Sequence, residues 1–66
     1  MTNKIKEYRT LNNFTQDELA KMVNVRRETI VFLEKNKYTP SLRLAFDLSR
    51  IFNKSVEELF SFDDEI

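Results

Sequence analysis

Arg27, Glu28, Val31, Phe32 and Lys35 follow one another at the spacing of side chains that share one face of an α-helix. The set combines a planar cation, a carboxylate, two apolar groups and a second cation. Val31 and Phe32 are costly to leave in water beside three charges, so this face needs a partner. Base edges in a DNA major groove suit it: an arginine reaches guanine O6 and N7 together, a glutamate accepts from cytosine N4, and an apolar group meets the thymine methyl. Taken alone, the same face fits a second reading equally well. It could be a solvated helix surface on which Phe32 is either the fringe of a core or a spot for a protein partner.

The elements that must position this face narrow the choice. Thr15-Gln16-x-Glu18-Leu19-Ala20 reads as a helix start, with Thr15 as cap and Glu18 three residues later completing a capping box. Leu19, Ala20 and Val23 face inward, and the small Ala20 lets a neighbouring helix approach. The third helix, about Arg26 to Lys35, turns Ile30 and Leu33 to the core, helped by Val25 from the turn. Two short helices joined by about three or four residues are the geometry that lays the second one in a major groove.

The rest of the chain supplies a body for that pair. A first helix runs from about Lys4 to Asn12, with Ile5, Tyr8 and Leu11 predicted on its inner face. A fourth is predicted to open with Thr39 as cap and Pro40 at its first position, burying Leu42, Ala45, Leu48 and Phe52, with Leu44 and Ile51 widening the stripe. Ser55 and Glu58 form a second capping box for a short fifth helix carrying Val56 and Leu59. Glycine is absent, and Asn13, Asn24, Asn36 and Asn53 each end an apolar-periodic stretch. Asparagine tolerates the left-handed conformation best after glycine, so these four are the expected chain-reversal points. The expectation is an all-α, five-helix single domain over residues 1–66, its helix-turn-helix at about 16–35. Phe60 and Phe62 alternate in a period of two, which allows a short extended segment in the 60–66 tail.

Composition removes most other functions. Sixty-six residues make one small domain, and with neither cysteine nor histidine a disulfide framework and a zinc site are not expected. No apolar stretch is long enough to cross a bilayer, so a soluble, cytoplasmic protein is expected. An enzyme is not expected either: Ser41 and Ser55 are accounted for by helix starts, and no glycine-rich loop exists to hold a nucleotide. No cofactor or small-molecule ligand is implied. Net charge is zero, but residues 1–37 carry eight Lys/Arg against five Asp/Glu, and residues 38–66 carry three against six. A polyanion responds to the local field, which makes the first half the candidate binding side.

From about Ile5 to Phe60 the chain resembles a Cro/CI-type helix-turn-helix repressor, the family also called xenobiotic-response-element regulators. The residues that carry the resemblance are Arg9, Thr15-Gln16-x-Glu18-Leu19-Ala20, Val25, Thr29-Ile30, Glu34 and Tyr38-x-Pro40-Ser41-Leu42. The short length is similar to that of stand-alone dimeric members. The resemblance implies a lambda-repressor-like five-helix fold, a homodimer, and transcriptional control by binding a palindromic operator in double-stranded DNA. It also implies roles. Arg27, Glu28 and Phe32, with Val31 beside them, occupy base-facing positions. Gln16 matches a glutamine that bonds a phosphate and braces the recognition helix, with Thr15 at the same helix start. Arg26 stands where a Ser or Thr cap is common, and is read as a phosphate contact. Lys35, Asn36, Lys37 and Tyr38 match a loop that grips the DNA backbone. Arg9 and Glu34 resemble a structural pair tying the first helix to the third.

A homodimer needs an apolar surface, and Phe46, Phe60 and Phe62 are the candidates, with Ile66 able to join them. A tail extended from Phe60 would pair with its mate in a second copy or with the N-terminal residues, whereas core closure by Phe60 would leave the tail frayed. The rival to DNA binding is a protein-interaction module, or an antitoxin component, built on the same fold.

Overall fold

The computed structural model describes residues 1–62, and the acidic run Asp63-Asp64-Glu65 and Ile66 lie outside the described residues. Along the chain come β1 (Thr2–Asn3), α1 (Ile5–Leu11), α2 (Gln16–Met22), α3 (Arg27–Glu34), α4 (Leu42–Phe52), α5 (Val56–Leu59) and β2 (Phe60–Ser61). The five expected helices are all present. Both capping boxes form: Thr15 Oγ1 accepts from the Glu18 N–H at 3.0 Å while Glu18 Oε1 accepts from the Thr15 N–H at 2.8 Å. Ser55 and Glu58 repeat the exchange at 3.1 and 2.8 Å. The Ser55 backbone N–H holds the exposed Glu58 carboxyl below its ordinary pKa, helped by the Ser55 hydroxyl.

All four expected asparagines are left-handed, with φ of 62° at Asn13, 59° at Asn24, 60° at Asn36 and 54° at Asn53. They therefore do the work that glycine does at many helix ends. Between them the helices enclose a core of Ile5, Leu19, Ala20, Val23, Ile30, Leu33, Leu44, Ala45, Leu48, Phe52, Leu59 and Phe60. Tyr8 packs on its edge, its ring centroid 6.0 Å from that of Phe52.

Four expectations are corrected. Helix α4 is capped by Ser41, whose hydroxyl accepts from the Leu44 N–H at 3.1 Å, so it starts two residues later than a Thr39 cap would place it. Pro40 precedes the cap instead of opening the helix, because it is the Ser41 hydroxyl that finds a free backbone N–H. Leu42 then falls in the first turn, beyond the body, and is 72% exposed. Leu11 is 76% exposed, because each three-residue step falls about 60° short of a full turn and two such steps carry it well away from Ile5. Phe60 is a core residue and not an exposed one. Its strand pairs antiparallel with β1, Asn3 opposite Phe60 and Thr2 opposite Ser61, which turns its ring inward. Of the two pairings open to an extended tail, this is the one with the N-terminal residues.

Asn53 ends α4 with φ 54° and ψ 45°, is not among the DNA-facing candidates, and makes a clean probe of the left-handed sites. Asn53→Ala should cost about 1 kcal/mol and Asn53→Gly should not, since the strain belongs to the Cβ of residues less tolerant than asparagine. Urea midpoints measure this; equal midpoints for the alanine variant and the parent would refute it.

Candidate nucleic-acid interface

Helix α2 ends at Met22, and the chain reverses through left-handed Asn24 so that the Val25 N–H reaches the Ala20 carbonyl at 2.9 Å. Residues 23–26 thus form a short turn that lays α3 across α2. Arg26 is the N-cap residue of α3, but no side-chain hydrogen bond caps that end. Ile30 and Leu33 are fully buried beneath α3, while Arg27, Glu28, Phe32 and Lys35 are exposed on its other side. Val31 is half-buried and Phe32 is 49% exposed, so Phe32 supplies most of the apolar surface of this face.

The orientation of that face is fixed by a polar network. Arg9 Nε donates to Glu34 Oε2 at 2.6 Å and Arg9 Nη2 to Glu34 Oε1 at 3.3 Å, while Arg9 Nη1 donates to the Phe14 carbonyl at 2.9 Å. Gln16 Nε2 donates to Glu34 Oε1 at 3.1 Å, and Gln16 Oε1 accepts a longer bond, 3.4 Å, from Arg27 Nη2. Only 5% of the Glu34 side chain and 13% of that of Arg9 is exposed, so the ion pair is shielded from water and works as a structural tie between α1 and α3. Glu34 is an acceptor, so the Gln16 amide must turn its nitrogen inward and its oxygen toward Arg27.

Thr15 and Gln16 lie at the start of α2, next to the start of α3. Lys35, Asn36, Lys37 and Tyr38 are exposed and follow α3 directly, with the Lys37 N–H returning to the Phe32 carbonyl at 2.9 Å. No local pattern in the sequence singles out Asn3. Its side chain bonds both the Leu33 carbonyl, at 2.8 Å, and Asn36 Oδ1, at 3.0 Å. These contacts span 30 and 33 residues, beyond the reach of any local pattern.

Away from α3, Phe46 and Phe62 are 51% and 68% exposed. Phe62 and Leu42 line an apolar groove of about 200 Å³ together with Met1, Pro40, Ala45 and Val56. Among the described residues, no helix is long and apolar enough to cross a membrane and no cluster of His, Cys, Asp or Glu could hold a metal ion.

Comparison with known proteins agrees with this geometry. The sequence profile of the helix-turn-helix family matches residues 5–59. A protein of Archaeoglobus fulgidus is 62% identical over 65 residues, covering 98% of this chain and 93% of the relative. A Methanocaldococcus jannaschii protein is 48% identical and a Bacillus subtilis protein 37%, each over 98% of both chains. All three are named as uncharacterized HTH-type transcriptional regulators. Among solved structures, the N-terminal DNA-binding domain of SinR from Bacillus subtilis superposes with a TM-score of 0.79 at 27% identity, covering 94% of this chain and 91% of that one.

The network yields a stability prediction. Glu34→Ala strands the Arg9 cation and should cost about 3–5 kcal/mol, against roughly 3–10 kcal/mol of total stability for a chain of this length. Arg9→Met combined with Glu34→Leu should recover most of that loss, because neither charge is then left unpaired. Urea denaturation of the three variants measures it, and a double variant no more stable than Glu34→Ala would contradict the account.

Proposed function

The chain belongs to the helix-turn-helix family of transcriptional regulators, Cro/CI type, and from that premise we propose that it is a repressor that acts as a homodimer on a palindromic operator. The observation that carries the reading is the exposed face of α3, braced from behind by Arg9, Glu34 and Gln16. A face held this rigidly is suited to meeting a groove of fixed shape.

In this reading Arg27 binds a guanine through O6 and N7, Glu28 accepts from a cytosine, and Phe32 meets a thymine methyl, with Val31 filling in beside it. Thr15, Arg26, Lys35, Asn36, Lys37 and Tyr38 hold phosphates on either side, and Gln16 reaches one through the second hydrogen of its Nε2, the first being given to Glu34. Phosphate contacts set register and affinity, while base contacts select sequence. A single short helix makes few base contacts, so selectivity calls for two copies reading half-sites about 34 Å apart. Phe46 and Phe62 are exposed apolar side chains outside α3 that could join them, with Leu42 beside Phe62 in one groove. Phe60 contributes by fixing the strand from which Phe62 emerges.

Selection of bound sites from random duplex DNA tests the whole reading. Two-fold-symmetric sites should be recovered, with binding that weakens steeply as salt is added. Arg27→Ala should flatten preference at one position per half-site, a loss of about 1–3 kcal/mol in discrimination. Lys37→Ala should weaken all sequences alike and lower the salt slope by about one. No enrichment, or binding indifferent to salt, would exclude DNA as the ligand.

The dimer is tested separately by sedimentation. The parent chain should sediment as a dimer at micromolar concentration and Phe62→Asp as a folded monomer. A monomeric parent would remove the two-fold operator from the proposal.

A further inference from the structure

Asn3 joins three segments through one side chain. Its Oδ1 accepts from the Ile5 backbone N–H at 3.0 Å, and its Nδ2 donates to the Leu33 carbonyl at 2.8 Å and to Asn36 Oδ1 at 3.0 Å. The direction of this relay is set by groups that cannot reverse. A backbone N–H can only donate, so it selects the oxygen of the Asn3 amide, and a backbone carbonyl can only accept, so it selects the nitrogen. The second hydrogen on Nδ2 is given to Asn36 Oδ1. That turns the oxygen of Asn36 toward Asn3 and leaves Asn36 Nδ2 to donate elsewhere. Asn36 is left-handed, follows α3 closely, and stands exposed between Lys35 and Lys37.

We infer that Asn3 is a positioning residue for DNA-backbone binding, which acts by holding the Asn36 amide with its Nδ2 donor turned to the phosphates. This rests on the DNA-binding reading above. The oxygens of a phosphodiester are acceptors, so an Asn36 amide reversed by half a turn would present a carbonyl oxygen to them and lose the contact. Asn3 lies in β1, whose partner β2 leads directly to Phe62. One amide therefore links the terminal sheet to the loop after the recognition helix.

Asn3→Ser is the informative variant. It adds no charge, its hydroxyl can still accept from the Ile5 N–H as in an ST-turn, and it is too short to reach Asn36. Affinity is measured by fluorescence anisotropy on a selected operator and on random duplex of the same length, for Asn3→Ser, Asn36→Ala and the double variant. Asn3→Ser should weaken both duplexes about three- to tenfold, the scale of one hydrogen bond. Asn36→Ala should do the same, and the double variant should be no weaker than Asn36→Ala alone. In the parent chain the side-chain amide resonances of Asn36 should shift on titration with random duplex, a readout that needs no variant to fold. Losses that multiply in the double variant, a loss confined to the operator, or an unmoved Asn36 amide would each overturn the inference while leaving DNA binding intact. A parent chain that binds neither duplex would overturn the DNA-binding reading and this inference together.

Discussion

A carboxylate almost wholly removed from water is the constraint on which the rest of the structure turns. Glu34 accepts two hydrogen bonds from Arg9 and one from Gln16, so its charge is compensated inside the structure. Because those partners come from α1 and α2, a group at the end of α3 fixes three helices relative to one another. The apolar core beneath could not do this alone, since hydrophobic contact is non-directional and tolerates sliding. A charged hydrogen bond at 2.6 Å does not tolerate it. The same carboxylate dictates which way the Gln16 amide faces, and through it gives Arg27 a polar anchor that leaves the rest of its guanidinium to other partners.

The chain reaches this arrangement with helices of only four to eleven residues and no glycine. Helices so short are not stable in isolation, and their ends matter as much as their middles. Three starts are closed by a hydroxyl, from Thr15, Ser41 and Ser55, and four reversals are made by left-handed asparagines. Asn36 belongs to both the fold and the proposed interface. Its backbone ends α3 while its side chain takes a bond from Asn3, so the conformation that stops the helix also sets the geometry of the loop beyond it.

What could be read in the sequence was whatever depends on neighbours three or four residues apart. Thr15 with Glu18 and Ser55 with Glu58 announce helix starts, and the asparagines announce reversals, because each device is complete within one turn. Competition between adjacent signals was harder to resolve. Thr39, Pro40 and Ser41 offer two starts, and the outcome depends on which hydroxyl finds a backbone N–H. Leu11 and Leu42 match the apolar period, yet a helix end can carry a residue past the edge of the body. The pairing of Asn3 with Phe60, and the reach of Asn3 to Asn36, join residues from opposite parts of the chain. The Arg9–Glu34 tie was legible only through family resemblance, since nothing local relates residues 25 apart.

Zero net charge could be taken to argue against a polyanionic ligand, but charge acts through its placement. Over the separations relevant here, with a Debye length of about 8 Å at physiological salt, a phosphate senses the nearest few side chains and not the whole-molecule sum. Arg26, Arg27, Lys35 and Lys37 are all exposed and cluster in sequence about the two ends of α3, while Glu34, the acid at its end, is withdrawn into the pair with Arg9. Neutralising that acid inside the structure removes the repulsion it would otherwise offer a DNA backbone. Glu28 is left as the exposed acid of the helix, in its first turn, where a base edge and not a phosphate is its proposed partner. The burial of one carboxylate and the exposure of another thus divide α3 between holding the fold and the selection of sequence proposed for it.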